Sequence, residues 1–96
     1  MNIERNDETL FFILPTETGI ANVEPDMDRV RQAFSNTDGL KTVIMNVDNV
    51  KEMDTAYFQL ILSLYNTVDE LGLEFHLNGE SQAFLELLHS YGLKLR

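Results

Sequence analysis

The order of strand-like and helix-like segments is the feature that most restricts the fold of this chain. Two strand-like segments come first, and helix-like and strand-like segments then alternate, which gives the predicted order β-β-α-β-α-β-α. Helices that connect successive strands usually place those strands parallel in one sheet. The sequence therefore predicts one α/β domain over residues 1–96, with a mostly parallel central sheet, an N-terminal antiparallel hairpin and about three helices.

The predicted strands are rich in β-branched and aromatic residues. They cover residues 3–5, 9–14, 42–47 and 73–77. In the second strand, Leu10, Phe12 and Leu14 would face one way, whereas Phe11 and Ile13 would face the other. Apolar side chains on both faces predict either a strand covered on two sides or a strand with a second apolar surface for a partner.

Two of the predicted helices are identified by their end signals. Residues 16–24 are polar and without clear periodicity, and Pro25 then suits the first position of a helix. Met27, Val30 and Phe34 would form the buried stripe of this helix. The last helix would start after Ser81 as its N-terminal cap, carry Phe84, Leu87, Leu88 and Tyr91, and stop at Gly92.

The segment from residue 55 to residue 71, which ends before Gly72, is the clearest helix in the sequence. Its apolar side chains cover an arc of roughly 200°, which is wider than one buried stripe requires. Ile61, Leu64 and Val68 lie near the centre of this arc and are predicted core residues. Phe58 and Leu62 lie at one margin, where a neighbouring helix could cover them or a partner could bind. Covering is the expectation, because large exposed apolar patches are unusual on monomers.

Composition restricts the classes of partner. The formal net charge of -9 would repel nucleic-acid phosphates and anionic lipid headgroups, so we expect no direct nucleic-acid binding. The acidic surface either serves solubility alone or steers a basic protein partner. The chain has no cysteine and no apolar run long enough for a membrane span, so we expect a cytoplasmic protein without membrane insertion.

The polar pair Asp54-Thr55 lies where the long helix begins. Thr55 and Gln59 fall on the polar side of that helix, so Thr55 should be exposed. Either Asp54 or Thr55 could cap the helix by accepting hydrogen bonds from the free amides of the first turn, and this role alone accounts for both residue types. The same position also suits a phosphate on Thr55, because a helix N-terminus offers unpaired donors and a favourable dipole.

The segment KTVIMNVDNVKEMDTAYFQLILSLYNTVDELGLEFHLNGESQAFLELLHSYGL resembles the second half of a STAS domain, the module of anti-sigma factor antagonists. In that family, a hydrophobic strand leads to an Asp-Ser/Thr pair at the start of an apolar helix, and a strand and a final helix ending near Gly-Leu follow. The resemblance covers roughly residues 10–93. Its most specific part is the run from Met53 to Ala56.

The resemblance implies a non-enzymatic regulatory domain that is switched by reversible phosphorylation. A partner serine/threonine kinase, often also an anti-sigma factor, would phosphorylate Thr55, and a cognate phosphatase would remove the phosphate. Asp54 would cap the helix or help to place the kinase. The predicted partner-binding surface consists of Asp54, Thr55, Tyr57, Phe58 and Gln59.

Two departures from the family pattern leave a second function open. Tyr57 stands where many members have glycine, and the loop from Pro15 to Gly19 lacks the glycine and acidic pattern of members that bind histidine-kinase-like anti-sigma factors. The Asp-Thr-Ala form also resembles STAS modules of chemotaxis or sensory systems and STAS subunits of lipid transporters. The alternative is therefore a constitutive subunit that binds a transporter ATPase or a signalling scaffold, with Thr55 only a cap.

Carboxylate chemistry fits the sequence less well. Asp48 follows a strand as a phospho-accepting receiver aspartate would, but no acidic pair that could hold magnesium follows the 9–14 strand, so a turn or capping role is expected. Glu24, Asp26 and Asp28 lack the ligand spacing and glycine of a calcium loop. We expect a solvated helix start there.

Histidine and serine chemistry has no support in the sequence either. His76 and His89 have no partner at metal-ligand spacing, and Ser63, Ser81 and Ser90 lack the context of a nucleophile elbow. The sequence therefore predicts no cofactor, no metal site and no catalytic residue.

Overall fold

The computed structural model describes residues 1–93 and contains six strands and three helices within them. The elements are β1 (Asn2–Asn6), β2 (Thr9–Ile13), β3 (Glu17–Thr18), α1 (Ile20–Ala33), β4 (Thr42–Asn46), β5 (Glu52–Met53), α2 (Thr55–Glu70), β6 (Glu74–Asn78) and α3 (Gln82–Ser90).

The main sheet has four strands in the order β1-β2-β4-β6. β1 and β2 form an antiparallel hairpin, whereas β2, β4 and β6 run parallel to one another. These findings confirm the predicted α/β class, the N-terminal hairpin and the three helices. β3 and β5, which were not predicted from the sequence, pair in parallel as a separate two-stranded sheet.

One face of the main sheet carries the core. Leu10, Phe12 and Leu14 are fully buried in a single apolar cluster that also contains the buried side chains of all three helices. Phe11 and Ile13 are only half-buried and do not belong to this cluster. Of the two alternatives for the apolar side chains of β2, the structure therefore shows the strand with one face in the core and a second, partly exposed apolar face.

α2 is the central helix, which explains its wide apolar arc. Ile61, Leu64 and Val68 are buried, as predicted. α1 packs against one flank of α2 and α3 against the other. α2 also contacts β6 of the main sheet. A helix with neighbours on three sides buries much more of its circumference than a surface helix does.

α1 begins five residues earlier than the sequence analysis predicted. It starts at Ile20, so residues 20–24 are helical and Pro25 lies inside the helix rather than at its first position. Proline in the second turn removes one backbone hydrogen bond and crowds the preceding turn. Tertiary packing offsets this local cost, because Val23 packs against the core upstream of the proline and Val30 is buried downstream of it.

The ends of the other two helices agree with the sequence analysis. α2 is followed by Gly72, which has a φ of +69° and so adopts the left-handed conformation that stops helices. The hydroxyl oxygen of Ser81 accepts a hydrogen bond of 3.2 Å from the Phe84 amide and caps α3. Gly92, with a φ of +64°, follows α3.

Candidate functional site

The small β3–β5 sheet places the starts of α1 and α2 next to each other. Glu17 pairs with Glu52, and Thr18 pairs with Met53, immediately before the two helices begin. Because the two strands are parallel, the two helices that follow them both start from the same end of this short sheet. The first residue of α1, Ile20, is therefore in contact with Asp54, the residue before α2, although the two are 34 positions apart in the sequence.

Asp54 caps both of these helices with one carboxylate. Its Oδ1 accepts a hydrogen bond of 2.9 Å from the Tyr57 amide in α2, and its Oδ2 accepts one of 2.8 Å from the Ile20 amide in α1. Gly19, the residue before α1, has no side chain with which to cap that helix. Asp54 therefore supplies the side-chain cap that Gly19 lacks. The cap on α2 agrees with one of the two roles predicted for Asp54, whereas the cap on α1 was not predicted.

Thr55 is exposed at the first position of α2, as its place on the polar side of the helix predicted. Within residues 1–93, its hydroxyl forms no hydrogen bond, and the amides of Thr55 and Ala56 have no acceptor. Gln59 is also exposed one turn later. The structure thus brings Asp54, Thr55 and Gln59 to one solvent-facing surface.

Tyr57 and Phe58 are not part of that surface, so the prediction that they are exposed to a partner is wrong. Both side chains have an exposed fraction of 0%. The ring of Phe58 packs against α3, with its centroid 5.9 Å from that of Phe84 and 5.1 Å from that of Tyr91. For Phe58, covering by a neighbouring helix was the expectation, and α3 provides it.

The Tyr57 side chain points to the opposite flank of α2 and joins it to α1. Its hydroxyl donates a hydrogen bond of 2.6 Å to Oδ2 of Asp26, whose exposed fraction is 6%. Burial, and then the hydrogen bond to Asp26, raise the pKa of the Tyr57 phenol far above its ordinary value, so the phenol is the donor. Asp26 was expected in a solvated helix start, and this expectation is wrong because α1 begins earlier and turns Asp26 inward.

Ile20 is the apolar residue that sequence reasoning missed at this site. Its side chain has an exposed fraction of 74% at the first position of α1, directly beside the Asp54 carboxylate. Together with residues 17–22 and 52–54 it lines a shallow cleft of about 540 Å³. A helical stripe that runs from Val23 through Met27 to Val30 could have indicated the earlier start of α1, but Pro25 interrupted the pattern.

Asp48 and the two histidines have ordinary structural surroundings. Oδ1 of Asp48 accepts a hydrogen bond of 2.9 Å from the Glu80 amide, which is the structural turn role expected for Asp48. His76 is exposed, with its Nε2 3.7 Å from Oε2 of Glu74, and His89 is exposed on α3. Across the described part of the chain, histidine and carboxylate side chains form no group of three that could hold a metal ion.

Comparison with known families identifies the fold around this site. The family model described as STAS domain matches residues 1–95, essentially the whole chain. The chain belongs to the STAS family. STAS domains are generally non-enzymatic regulatory domains with a protein-interaction fold. This finding confirms the resemblance drawn from the residues around the Asp54-Thr55 pair.

A solved structure described as "Crystal Structure Analysis of Mglu" has the same fold. It superposes with a TM-score of 0.68 over 82% of this STAS chain at 19% sequence identity. The matched part is 19% of that protein's chain, so this fold is a small part of a much longer chain there. No match was found among curated proteins.

None of the helices within residues 1–93 is both long enough and apolar enough to cross a membrane.

Proposed function

We propose that this STAS domain is a non-enzymatic switch protein whose partner binding changes when Thr55 is phosphorylated by a partner serine/threonine kinase. The kinase or an associated anti-sigma factor would bind the surface at the shared start of α1 and α2, and a cognate phosphatase would reset it. The observation that carries the proposal is the exposed Thr55 hydroxyl, which forms no hydrogen bond within residues 1–93.

The surroundings of Thr55 support a modification rather than a purely structural role. Asp54 already caps α2, so the Thr55 hydroxyl is not required for that function. The amides of Thr55 and Ala56 in the first turn of α2 have no acceptors among the described residues and could stabilise an added phosphate. A phosphate would bring about -1.5 to -2 charges to a surface that already carries Asp54 and Glu52. Such a change in charge alters docking without refolding the domain.

The proposed partner surface differs from the one that the sequence predicted. It contains Asp54, Thr55 and Gln59, loses Tyr57 and Phe58 because both are buried, and gains Ile20. A highly exposed isoleucine surrounded by carboxylates fits a protein partner that has an apolar pocket with basic side chains at its rim.

The direct test is phosphorylation in vitro by the protein kinase encoded nearest to this protein in its genome, followed by mass-spectrometric mapping. Wild type and Thr55→Ser should take up phosphate, whereas Thr55→Ala and Thr55→Val should not. Thr16→Ala, which removes another exposed threonine hydroxyl, is the matched control and should be labelled like wild type. Phosphate uptake by both Thr55→Ala and Thr55→Val would rule out Thr55 as the acceptor.

The alternative function is a constitutive subunit that binds a transporter ATPase or a chemotaxis or sensory scaffold through the same surface. The exposed Ile20 favours it as much as it favours the switch, because an apolar contact works without phosphate. In this case Thr55→Val should co-purify with the partner as wild type does. Replacing Ile20 with serine should weaken that complex, with Leu71→Ser, which removes another exposed apolar side chain just beyond the far end of α2, as the control.

A further inference from the structure

The cap on α1 makes the start of that helix depend on a residue from another part of the chain. The Ile20 amide donates to Oδ2 of Asp54, and the residue that would normally cap α1 is Gly19, which has no side chain. Gly19 has a φ of -129° and a ψ of 176°, which any residue can adopt. Backbone conformation therefore does not require glycine at this position.

Asp54 is at the same time the neighbour of Thr55. Its two carboxylate oxygens are divided between two helices, with Oδ1 on the Tyr57 amide and Oδ2 on the Ile20 amide. A carboxylate has two acceptor oxygens, whereas an asparagine side chain has only one. Both caps therefore need the aspartate and need it in one orientation.

We propose that Asp54 is the positioning residue that couples Thr55 to α1, so that negative charge on Thr55 loosens the first turn of α1 and displaces Ile20. This inference rests on the proposed function for its biological signal, which is phosphorylation of Thr55. The coupling itself is a property of the folded domain and can be measured without any kinase.

Charge repulsion explains why a negative group on Thr55 would weaken the cap on α1 rather than strengthen it. A negative group on Thr55 would lie next to the Asp54 carboxylate and repel it, and it would compete with Oδ1 of Asp54 for the Tyr57 amide at the start of α2. Rotation of Asp54 away from that group removes the Oδ2 acceptor from Ile20. The first turn of α1 then has no side-chain cap, since Gly19 cannot replace it. The most exposed large apolar side chain among residues 1–93 would move as a result.

The test is hydrogen exchange of single backbone amides, measured by NMR on the isolated protein. Thr55→Glu carries the charge, and Thr55→Gln is its neutral control of the same shape. We expect the Ile20 amide to exchange about fivefold faster in Thr55→Glu than in Thr55→Gln, which is the ratio expected for loss of a typical N-terminal cap. The Phe84 amide, capped by Ser81 in α3, should exchange equally in both variants and serves as an internal reference.

Two further variants separate coupling from general destabilisation. Asp54→Asn should leave only one of the two amides, Ile20 or Tyr57, protected as in wild type, because each amide bonds a different oxygen and the carboxamide NH2 that replaces one of them cannot accept a hydrogen bond. Gly19→Ser gives α1 a cap of its own, and a Cβ there would lie 3.5 Å from Asp54 Oδ2, an ordinary contact. When Gly19→Ser is also present, Thr55→Glu should increase amide exchange in the first turn of α1 by less than half as much as it does without Gly19→Ser.

The outcomes distinguish this inference from the proposed function. Equal exchange of Ile20 in Thr55→Glu and Thr55→Gln would overturn the coupling, even if a kinase phosphorylates Thr55. Full protection of both amides in Asp54→Asn would also overturn it. If the exchange results are as expected but no phosphate is ever found on Thr55, the coupling stands and the phosphorylation switch is wrong.

Discussion

At the scale of single residues, the contact between Tyr57 and Asp26 holds α1 and α2 together beside the candidate site. It is a charge-assisted hydrogen bond of 2.6 Å between a fully buried phenol and a buried carboxyl group. The amino nitrogen of Met1 lies 3.7 Å from the same Oδ2 of Asp26. Removal of either side chain would leave the other buried and poorly satisfied, which costs more than the net value of the bond.

We therefore expect Tyr57→Phe to lower the free energy of unfolding by about 1–3 kcal/mol at neutral pH. The ring and its packing remain, so the loss reports the hydroxyl alone. Urea unfolding followed by circular dichroism would measure it. Tyr65→Phe in the same helix is the matched control and should change stability by less than about 0.5 kcal/mol. Equal stability of Tyr57→Phe and wild type would contradict the role of this bond.

The same residue predicts a pH dependence. Because burial raises the pKa of Tyr57 in the folded protein, the folded state keeps the phenol proton after the unfolded chain begins to lose it, near pH 10. The contribution of Tyr57 to the free energy of unfolding is therefore fully present below about pH 10. Above that pH it falls by at most about 1.4 kcal/mol per pH unit. Tyr57→Phe lacks this loss. The stability difference between wild type and Tyr57→Phe should shrink between about pH 10 and 11 in urea titrations, and a constant difference would contradict the raised pKa.

At the scale of elements, α1 contains a local conflict. Pro25 lies in its second turn, yet the helix continues on both sides. The preceding turn has to tolerate the pyrrolidine ring and the missing amide. Val23 and Met27, on either side of the proline, both pack against the core and hold the helix in place.

Pro25→Ala should therefore stabilise the domain. The helix gains one backbone hydrogen bond and loses the steric conflict, while the unfolded chain gains some freedom, so we expect a net increase of about 1 kcal/mol in the free energy of unfolding. Pro25 is exposed, so the substitution creates no cavity. Thermal unfolding should show a higher midpoint than wild type. A lower midpoint would mean that the proline is adapted to a bend that alanine does not support.

At the scale of the whole molecule, the dominant feature is its negative charge. A formal charge of -9 is spread over a domain with a radius of gyration of 12.5 Å. Charges at this density repel one another and destabilise the compact state. At about 0.15 M ionic strength the screening length is about 8 Å, shorter than the domain radius.

Moderate salt should therefore raise the stability of the domain. We expect a gain of about 1 kcal/mol between about 10 mM and about 150 mM NaCl, seen as a thermal midpoint higher by about 4–8 °C. Glu70→Lys, at the C-terminal end of α2, lowers the negative charge and should show a smaller salt response than the neutral control Glu70→Gln. A thermal midpoint that does not change with salt would show that repulsion is balanced within the fold.

The sequence by itself determined the types of the long elements and the place of the candidate phosphorylation site. Periodicity and end signals are local, so they identified α2, α3 and the four strands of the main sheet, and they placed Thr55 on the exposed side of α2. The Asp54-Thr55 pair carried the family resemblance for the same reason, because its residues are adjacent.

Only the tertiary structure decided what surrounds that site. Phe58 lies on a flank of the apolar arc of α2, and its burial depends on the packing of α3 there. Tyr57 lies near the centre of that arc, but its hydrogen-bond partner comes from α1. The hydrogen bonds from Ile20 to Asp54 and from Tyr57 to Asp26 join residues 34 and 31 positions apart. Their geometry arises from the pairing of two strands of two residues each, too short to leave a periodic pattern. Local patterns determine which elements form, and packing between distant segments determines which side chains meet.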